Sequence, residues 1–149
     1  VVERIGLERF GDFCQEIGIY SVLPGDKDKM KYLSNRGIAT AAFIGYDTSD
    51  AAIELARASD KHIVFVSNAN GRTQPREGLV TWAERIGYIR AHGVTAPIFG
   101  VTGIKTPEEL QQVRDAGADG AYIGSIMMQL WDNEPELWKL LDAFQAVAR

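Results

Sequence analysis

Cysteine and histidine are scarce in this chain of 149 residues, and their scarcity excludes several kinds of site. Cys14 is the only cysteine, so no intrachain disulfide can form, and a reducing, cytoplasmic location is expected. The two histidines, His62 and His92, lie far apart in sequence, which argues against a zinc site built from His and Cys. The sequence therefore predicts no cofactor and no metal site, with oxygen-only ligation of magnesium left open.

The chain also lacks a large excess of either charge and lacks long apolar runs. Lys and Arg number 16 against 20 Asp and Glu, and no basic stretch is long enough to follow a nucleic-acid backbone. Apolar runs such as residues 63–66 are too short to span a bilayer, and no charged-then-apolar leader is visible. We therefore expect neither a nucleic acid nor a membrane as partner, and we expect residues 1–149 to form a single domain.

Five β-rich apolar segments alternate with amphipathic stretches along the chain. Four of these segments follow a glycine, at positions where a left-handed residue commonly ends a helix. The predicted strands comprise residues 19–23, 38–44, 63–67, 94–99 and 118–123. Strands that alternate with helices predict a parallel sheet, and strands that are apolar nearly throughout predict a sheet buried on both faces. An open doubly wound sheet and a barrel segment share this pattern, so periodicity alone does not choose between them.

Start signals and apolar faces mark helices between these strands. Thr106, Pro107 and Glu109 combine a capping residue, a first-turn proline and a glutamate three residues after the cap. Apolar residues three and four positions apart predict one helix near the start of the chain and another near its end. These residues are Leu7, Phe10, Cys14 and Ile17 for the first helix and Leu137, Leu140, Leu141 and Phe144 for the last.

Two glycine-bearing turns, on the last two predicted strands, point to a ligand. Residues 99–104 and 121–126 each leave a strand, pass through a glycine and enter a helix. Glycine lets the backbone approach an anion closely, and a helix start supplies N–H donors. The loops after the last two strands of (β/α)8 barrels often form a phosphate site. We therefore predict that Gly103, Gly124 and Ser125 bind a phosphate, although either glycine alone is better explained by a tight turn.

These motifs resemble the C-terminal part of the tryptophan synthase alpha subunit family. The resemblance is carried by residues 103–109 and 116–125, and upstream by residues 7–10, 18–23, 66–67 and 71–73. It is colinear and covers essentially the whole chain. It implies an α/β fold, a parallel (β/α)8 TIM barrel of which this chain supplies about five βα units, strands four to eight. A typical barrel has about 250 residues, so the barrel is expected to be incomplete without N-terminal strands.

The resemblance implies the retro-aldol cleavage of indole-3-glycerol phosphate to indole and glyceraldehyde 3-phosphate, a lyase step of tryptophan biosynthesis. In the family, the acid and the base are carboxylates on the second strand and the loop after it. Those positions would precede Val1, so the sequence predicts no catalytic residue in this chain.

The resemblance also marks four loop candidates. Thr73 matches the loop threonine that helps to organise the closed site, and Asp26 matches an aspartate after the fourth strand. Arg72 is a candidate for neutralising a phosphate, while Gln74 stands where the family usually has a glycine. Asp26 is equally explained as a helix cap.

Three functions remain open at this stage. The first is the alpha-like lyase, acting on a small phosphorylated substrate beside a tryptophan synthase beta subunit. The second is another phosphate-binding barrel enzyme, such as a sugar-phosphate isomerase, aldolase or synthase. The third is a non-catalytic phosphate-ligand-binding or allosteric partner. In each case a missing N-terminal segment, or a second copy of the chain, is expected to complete the barrel.

Overall fold

The computed structural model describes residues 2–23, 26–58, 63–68 and 72–148. The helices are α1 (Val2–Ile5), α2 (Leu7–Glu16), α3 (Lys27–Asn35), α4 (Asp50–Arg57), α5 (Trp82–Ala91), α6 (Pro107–Asp115), α7 (Ser125–Gln129) and α8 (Glu134–Ala148). The strands are β1 (Ser21–Val22), β2 (Ala39–Thr40), β3 (Ala42–Ile44), β4 (Val64–Ser67), β5 (Ile98–Val101) and β6 (Gly120–Tyr122). Four of the five predicted strand segments contain the observed strands, whereas the segment 94–99 overlaps β5 only at Ile98 and Phe99.

All strand pairs are parallel, as predicted. β1 pairs with β2, and a second sheet has the order β3-β4-β5-β6. Only Ala41 separates β2 from β3, so the two sheets share one interrupted strand and form a continuous row. Sequential order in a parallel sheet requires a crossover between neighbouring strands, and helices provide these crossovers. The result is five successive βα units.

The strand β5 begins later than predicted, at Ile98 rather than at residue 94. The guanidinium of Arg90 explains the difference, because it takes the carbonyl groups that a strand would use. Its Nη1 donates to the Val94 carbonyl at 3.0 Å and to the Ala96 carbonyl at 2.6 Å. Pro97, which follows, has no N–H to donate to a neighbouring strand. The strand therefore starts at Ile98, the first residue after the proline.

Capping boxes begin α5 and α6. The predicted helix start at Thr106 is confirmed: Thr106 Oγ1 accepts the Glu109 N–H at 3.3 Å, and the Glu109 carboxylate accepts the Thr106 N–H at 3.0 Å. Thr81 and Glu84 form the same arrangement at α5. The sequence predicts an amphipathic stretch that ends at Gly93, and α5 lies there, but its capping box is seen only in the structure.

The sheet buries one face and leaves much of the other open. Val64, Val66 and Ile98 are fully buried and belong to a core formed with the helices. On the other face Phe43 is 43% exposed and Tyr122 is 66% exposed. The prediction of a sheet buried on both faces is therefore wrong for the described residues. The described residues supply about five of the eight strands of such a barrel, and they include no strand opposite this inner face.

Neither a membrane span nor a metal cluster is found in the residues that the structure describes. No helix among them is both long and apolar enough to cross a bilayer. No group of three or more His, Cys, Asp or Glu side chains in those ranges is placed to hold a metal ion. His62 lies outside the described residues.

The packing of β5 against α6 yields a first prediction. A Cβ at Gly100 would lie 2.5 Å from Val113 Cγ1 in the buried core, so Gly100→Ala is expected to lower the free energy of unfolding by about 1–3 kcal/mol. A Cβ at Gly87, on the exposed side of α5, would meet nothing within 4 Å. Gly87→Ala is therefore expected to raise the free energy of unfolding by about 0.5–1 kcal/mol. Urea unfolding measures both variants, and an unchanged stability for Gly100→Ala would contradict this packing.

Candidate functional site

A groove of about 570 Å³ lies at the carboxyl end of the sheet and joins the two predicted glycine turns. Its apolar wall comes from the inner face of the sheet and from the end of β1. The wall residues are Leu23, Phe43, Phe65, Val101 and Tyr122. The remaining lining includes Thr102, Gly103, Gly124 and Ser125. The three residues predicted to bind a phosphate thus line the same groove.

The turn after β5 has two consecutive residues in the left-handed region. Thr102 has φ 65° and Gly103 has φ 79°. Glycine takes this conformation without steric cost, whereas a β-branched residue such as threonine is strained there. In the described part of the chain, no protein acceptor pairs with the Gly103 N–H. The turn therefore holds a strained backbone and leaves this amide available to a ligand.

The amides of Lys105 and Thr106, just before α6, are not available to a ligand, in contrast to the expectation that this helix start supplies unpaired N–H groups. The Glu109 carboxylate accepts the Lys105 N–H at 2.6 Å and the Thr106 N–H at 3.0 Å. The capping box thus satisfies the helix from within the chain. Any anion at this turn must rely on Gly103 and the residues beside it.

The turn after β6 leaves Gly124 exposed at the start of α7. Its φ of −126° is open to any residue, and a Cβ at this position would meet nothing within 4 Å. Neither backbone conformation nor protein packing therefore requires glycine here. The Gly124 N–H has no protein acceptor in the described ranges either. A missing side chain at this position keeps the groove open beside Ser125.

The described lining of the groove is poor in acidic and basic side chains. Tyr122 is its only titratable side chain, and no carboxylate, histidine or lysine is present among the residues that form the wall and the two turns. Lys105 follows closely after Gly103 in sequence, but its side chain is exposed and does not line the groove. The arrangement can bind an anion with an apolar body, and chemistry on that ligand needs further groups.

The four loop candidates lie elsewhere in the described structure. Asp26 caps α3: its side chain accepts the Lys29 N–H at 2.9 Å, and its ion pair with the Lys29 ammonium lowers the pKa of the Asp26 carboxyl. Arg72, Thr73 and Gln74 are exposed and are not part of the groove lining. Residues 69–71, which precede them in the predicted loop, lie outside the described residues.

Sequence reasoning missed Arg85, which is fully buried beside the carboxyl end of β4. Its Nη1 donates to the Ser67 carbonyl, and burial lowers the pKa of the guanidinium. One feature of the sequence indicates its burial. Arg85 lies three residues after Trp82 and one before Ile86, on the buried face of a helix. Asn68, the next residue after Ser67, places its side chain against Gly103.

The comparisons with known proteins find similar solved structures but no similar sequences. No family model matches the chain, and no curated protein sequence matches it. A tryptophan synthase alpha subunit from Campylobacter jejuni has a TM-score of 0.67 at 19% identity, covering 96% of this chain and 60% of that subunit. A structure of the tryptophan synthase α2β2 complex from Pyrococcus furiosus has a TM-score of 0.72 at 13% identity, with 97% and 61% covered. A structure described as native KDPGal has a TM-score of 0.68 at 20% identity, with 97% and 65% covered.

The fold is that of a TIM barrel. The chain spans about 60% of the length of the structures it matches, so it covers part of that barrel. Its structural neighbours include tryptophan synthase alpha subunits at low identity, which confirms the resemblance at the level of the fold. The KDPGal structure shares the same architecture.

The strained turn after β5 yields a second prediction. Thr102→Asn is expected to raise the free energy of unfolding by about 1 kcal/mol, because asparagine tolerates a left-handed backbone better than a β-branched residue does. Thr95→Asn is the matched control, since Thr95 is exposed and is not in the left-handed region. Urea unfolding of both variants tests the geometry, and a loss of stability in Thr102→Asn alone would contradict it.

Proposed function

We propose that this chain is part of a tryptophan synthase alpha-like lyase, which cleaves indole-3-glycerol phosphate to indole and glyceraldehyde 3-phosphate. The observation that carries the proposal is the groove, where two glycine turns with unpaired amides adjoin an apolar wall. A substrate with a phosphate at one end and an indole ring at the other matches both the glycine turns and the apolar wall. The alpha subunits among the structural neighbours support the same reading.

In this proposal the phosphate lies between the two turns. The N–H groups of Gly103 and Gly124 and the hydroxyl of Ser125 donate to its oxygens. Such donors suit an anion because charge-assisted hydrogen bonds are stronger than neutral ones. The open space at Gly124 lets the phosphate approach the backbone.

The indole ring would lie against the aromatic part of the wall. Phe65 and Tyr122 already form an edge-to-face pair with ring centroids 6.0 Å apart. Aromatic rings favour this arrangement with one another, so an indole that stacks beside the pair would gain both apolar burial and ring contact. A groove of about 570 Å³ lies within the range of small-molecule sites, about 300–1,000 Å³.

The proposed reaction needs two groups that the described lining does not provide. An acid must protonate the indole ring, and a base must take a proton from the substrate. We propose that carboxylates outside these 149 residues supply both roles, on strands that cover the open inner face. A beta subunit is the proposed partner, since one of the neighbours is an α2β2 complex, and the proposed location is the cytoplasm.

A second candidate function is that of a different phosphate-binding barrel lyase or aldolase, favoured by the similarity to the KDPGal structure. An aldolase that forms a Schiff base needs a lysine in a desolvated pocket. Lys105 is exposed and outside the groove lining, so the described residues offer no such amine at this site. Either reaction needs groups that the described lining lacks, and the alpha-like lyase is the better-supported function because the apolar wall of the groove suits an indole ring.

The direct test adds indole-3-glycerol phosphate to the full-length protein that contains this sequence, with and without a beta subunit. Release of indole is expected, and a beta subunit is expected to increase its rate. Cleavage of sugar phosphates without any indole would favour the aldolase. Tight binding of phosphate ligands with no turnover of either substrate would identify a non-catalytic binding protein.

Removal of the Ser125 hydroxyl tests the phosphate end of the groove. Ser125→Ala is expected to weaken the binding of inorganic phosphate about 10- to 150-fold, because a hydrogen bond to a charged group is worth about 1.5–3 kcal/mol. Ser34→Ala, on the exposed surface of α3, is the control and should leave the affinity unchanged. Isothermal titration calorimetry measures both, and equal affinities for the wild type and Ser125→Ala would contradict this role.

A further inference from the structure

Arg85 is a buried cation without a counter-ion in the described structure. Its side chain is 0% exposed, and only Nη1 has a hydrogen-bond partner, the Ser67 carbonyl. Nε and Nη2 are buried and have no acceptor. No ion pair involves Arg85 among the residues that the structure describes.

Aromatic rings occupy the space around the guanidinium. Its Cζ lies 4.6 Å from the ring centroid of Trp82 and 4.9 Å from that of Tyr46. Cation–π contacts offset part of the cost of removing the charge from water. They do not replace the two missing acceptors, and a buried charge with unpaired donors is normally unfavourable compared with an apolar side chain of similar size. Stability of the fold is therefore a poor explanation for an arginine here.

The one polar contact of Arg85 leads to the proposed anion site through two residues. Arg85 fixes the Ser67 carbonyl at the end of β4, and Ser67 Oγ donates to the Asn68 carbonyl at 3.0 Å. The Asn68 N–H donates to the Val101 carbonyl at 3.1 Å, where β5 ends. A Cβ at Gly103 would lie 3.6 Å from Asn68 Nδ2, so the asparagine side chain lies against this turn.

We propose that Arg85 is a positioning residue for the anion site, acting through Ser67 and Asn68 on the Thr102–Gly103 turn. By fixing the end of β4, it holds Asn68 where it supports a backbone of two left-handed residues. That support keeps the Gly103 N–H in place for the ligand. The inference rests on the proposed function, because it assumes that Gly103 binds the phosphate.

A positioning role predicts that loss of Arg85 lowers the affinity for phosphate without lowering the melting temperature. A purely structural role predicts that the melting temperature falls. Arg85→Met removes the charge and the Ser67 contact while it keeps an unbranched side chain in the core. We expect its melting temperature to equal or exceed that of the wild type, and its affinity for inorganic phosphate to fall at least tenfold. Arg85→Lys keeps a cation that can reach the Ser67 carbonyl and should recover at least threefold of the lost affinity.

Arg90→Met is the matched control on the same helix. Arg90 pairs with Asp119 at 2.7 Å and binds two loop carbonyls before β5, away from the groove. Its loss should lower the melting temperature and leave the phosphate affinity within threefold of the wild type. The two arginine variants therefore have opposite expected effects on stability and on binding.

Asn68→Ala tests the far end of the same connection and does not disturb the core, since Asn68 is only half-buried. It should weaken phosphate binding by a similar factor, and the double variant with Arg85→Met should bind no more weakly than either single variant. Such non-additivity is expected when two residues act through one turn. If Arg85→Met does not fold, Asn68→Ala still tests the connection, and phosphate binding by Asn68→Ala within threefold of the wild type overturns it.

Calorimetric titration with inorganic phosphate, with melting temperatures measured in parallel, separates the outcomes. If the wild type binds phosphate and both Arg85→Met and Asn68→Ala bind it within threefold as well, the positioning role is overturned and the anion site stands. Additive losses in the double variant would likewise overturn the connection between the two residues. If the wild type does not bind phosphate, the anion site itself is overturned, and this inference with it.

Discussion

The parallel order of the strands is the constraint on which the rest of the structure depends. Because β5 and β6 run side by side in the same direction, the turns that follow them leave the sheet at one edge. Neighbouring strands lie about 4.8 Å apart, so two such turns come close together without any long-range contact between their loops. Gly103 and Gly124 line one groove for this reason, and the apolar inner face of the same sheet supplies its wall.

Much of this architecture could be predicted from the sequence because it depends on local signals. The glycines before the strands, the Thr106 capping box and the apolar runs each act within a few residues, and the structure confirms the five parallel strands. Strand bounds were less predictable, since Arg90 takes two carbonyls before β5. The exposed inner face also departs from expectation, because the apolar pattern of a strand does not tell how many strands oppose it.

The sequence does not predict the contacts that the side chains of one element make with another element at this site. An arginine within an apolar helix face weakens the amphipathic pattern of that helix. No neighbouring residue in the sequence indicates that Arg85 is buried against Ser67. The contact between Asn68 and Gly103 joins two loops more than thirty residues apart. Glu109 likewise occupies amides that the sequence alone presents as free. The sequence therefore predicts the two glycine turns, but it does not predict that Asn68 lies beside Gly103 or that Arg85 contacts Ser67.

The central claim is that the amides of the two turns bind one anion together, and an NMR titration tests it most directly. Inorganic phosphate is added to ¹⁵N-labelled protein while the backbone resonances of Gly103, Gly124 and Ser125 are followed. The account predicts that all three shift with a single dissociation constant, while the Lys105 and Thr106 amides, already bonded to Glu109, move little. Shifts at only one turn, or different dissociation constants at the two turns, would contradict it.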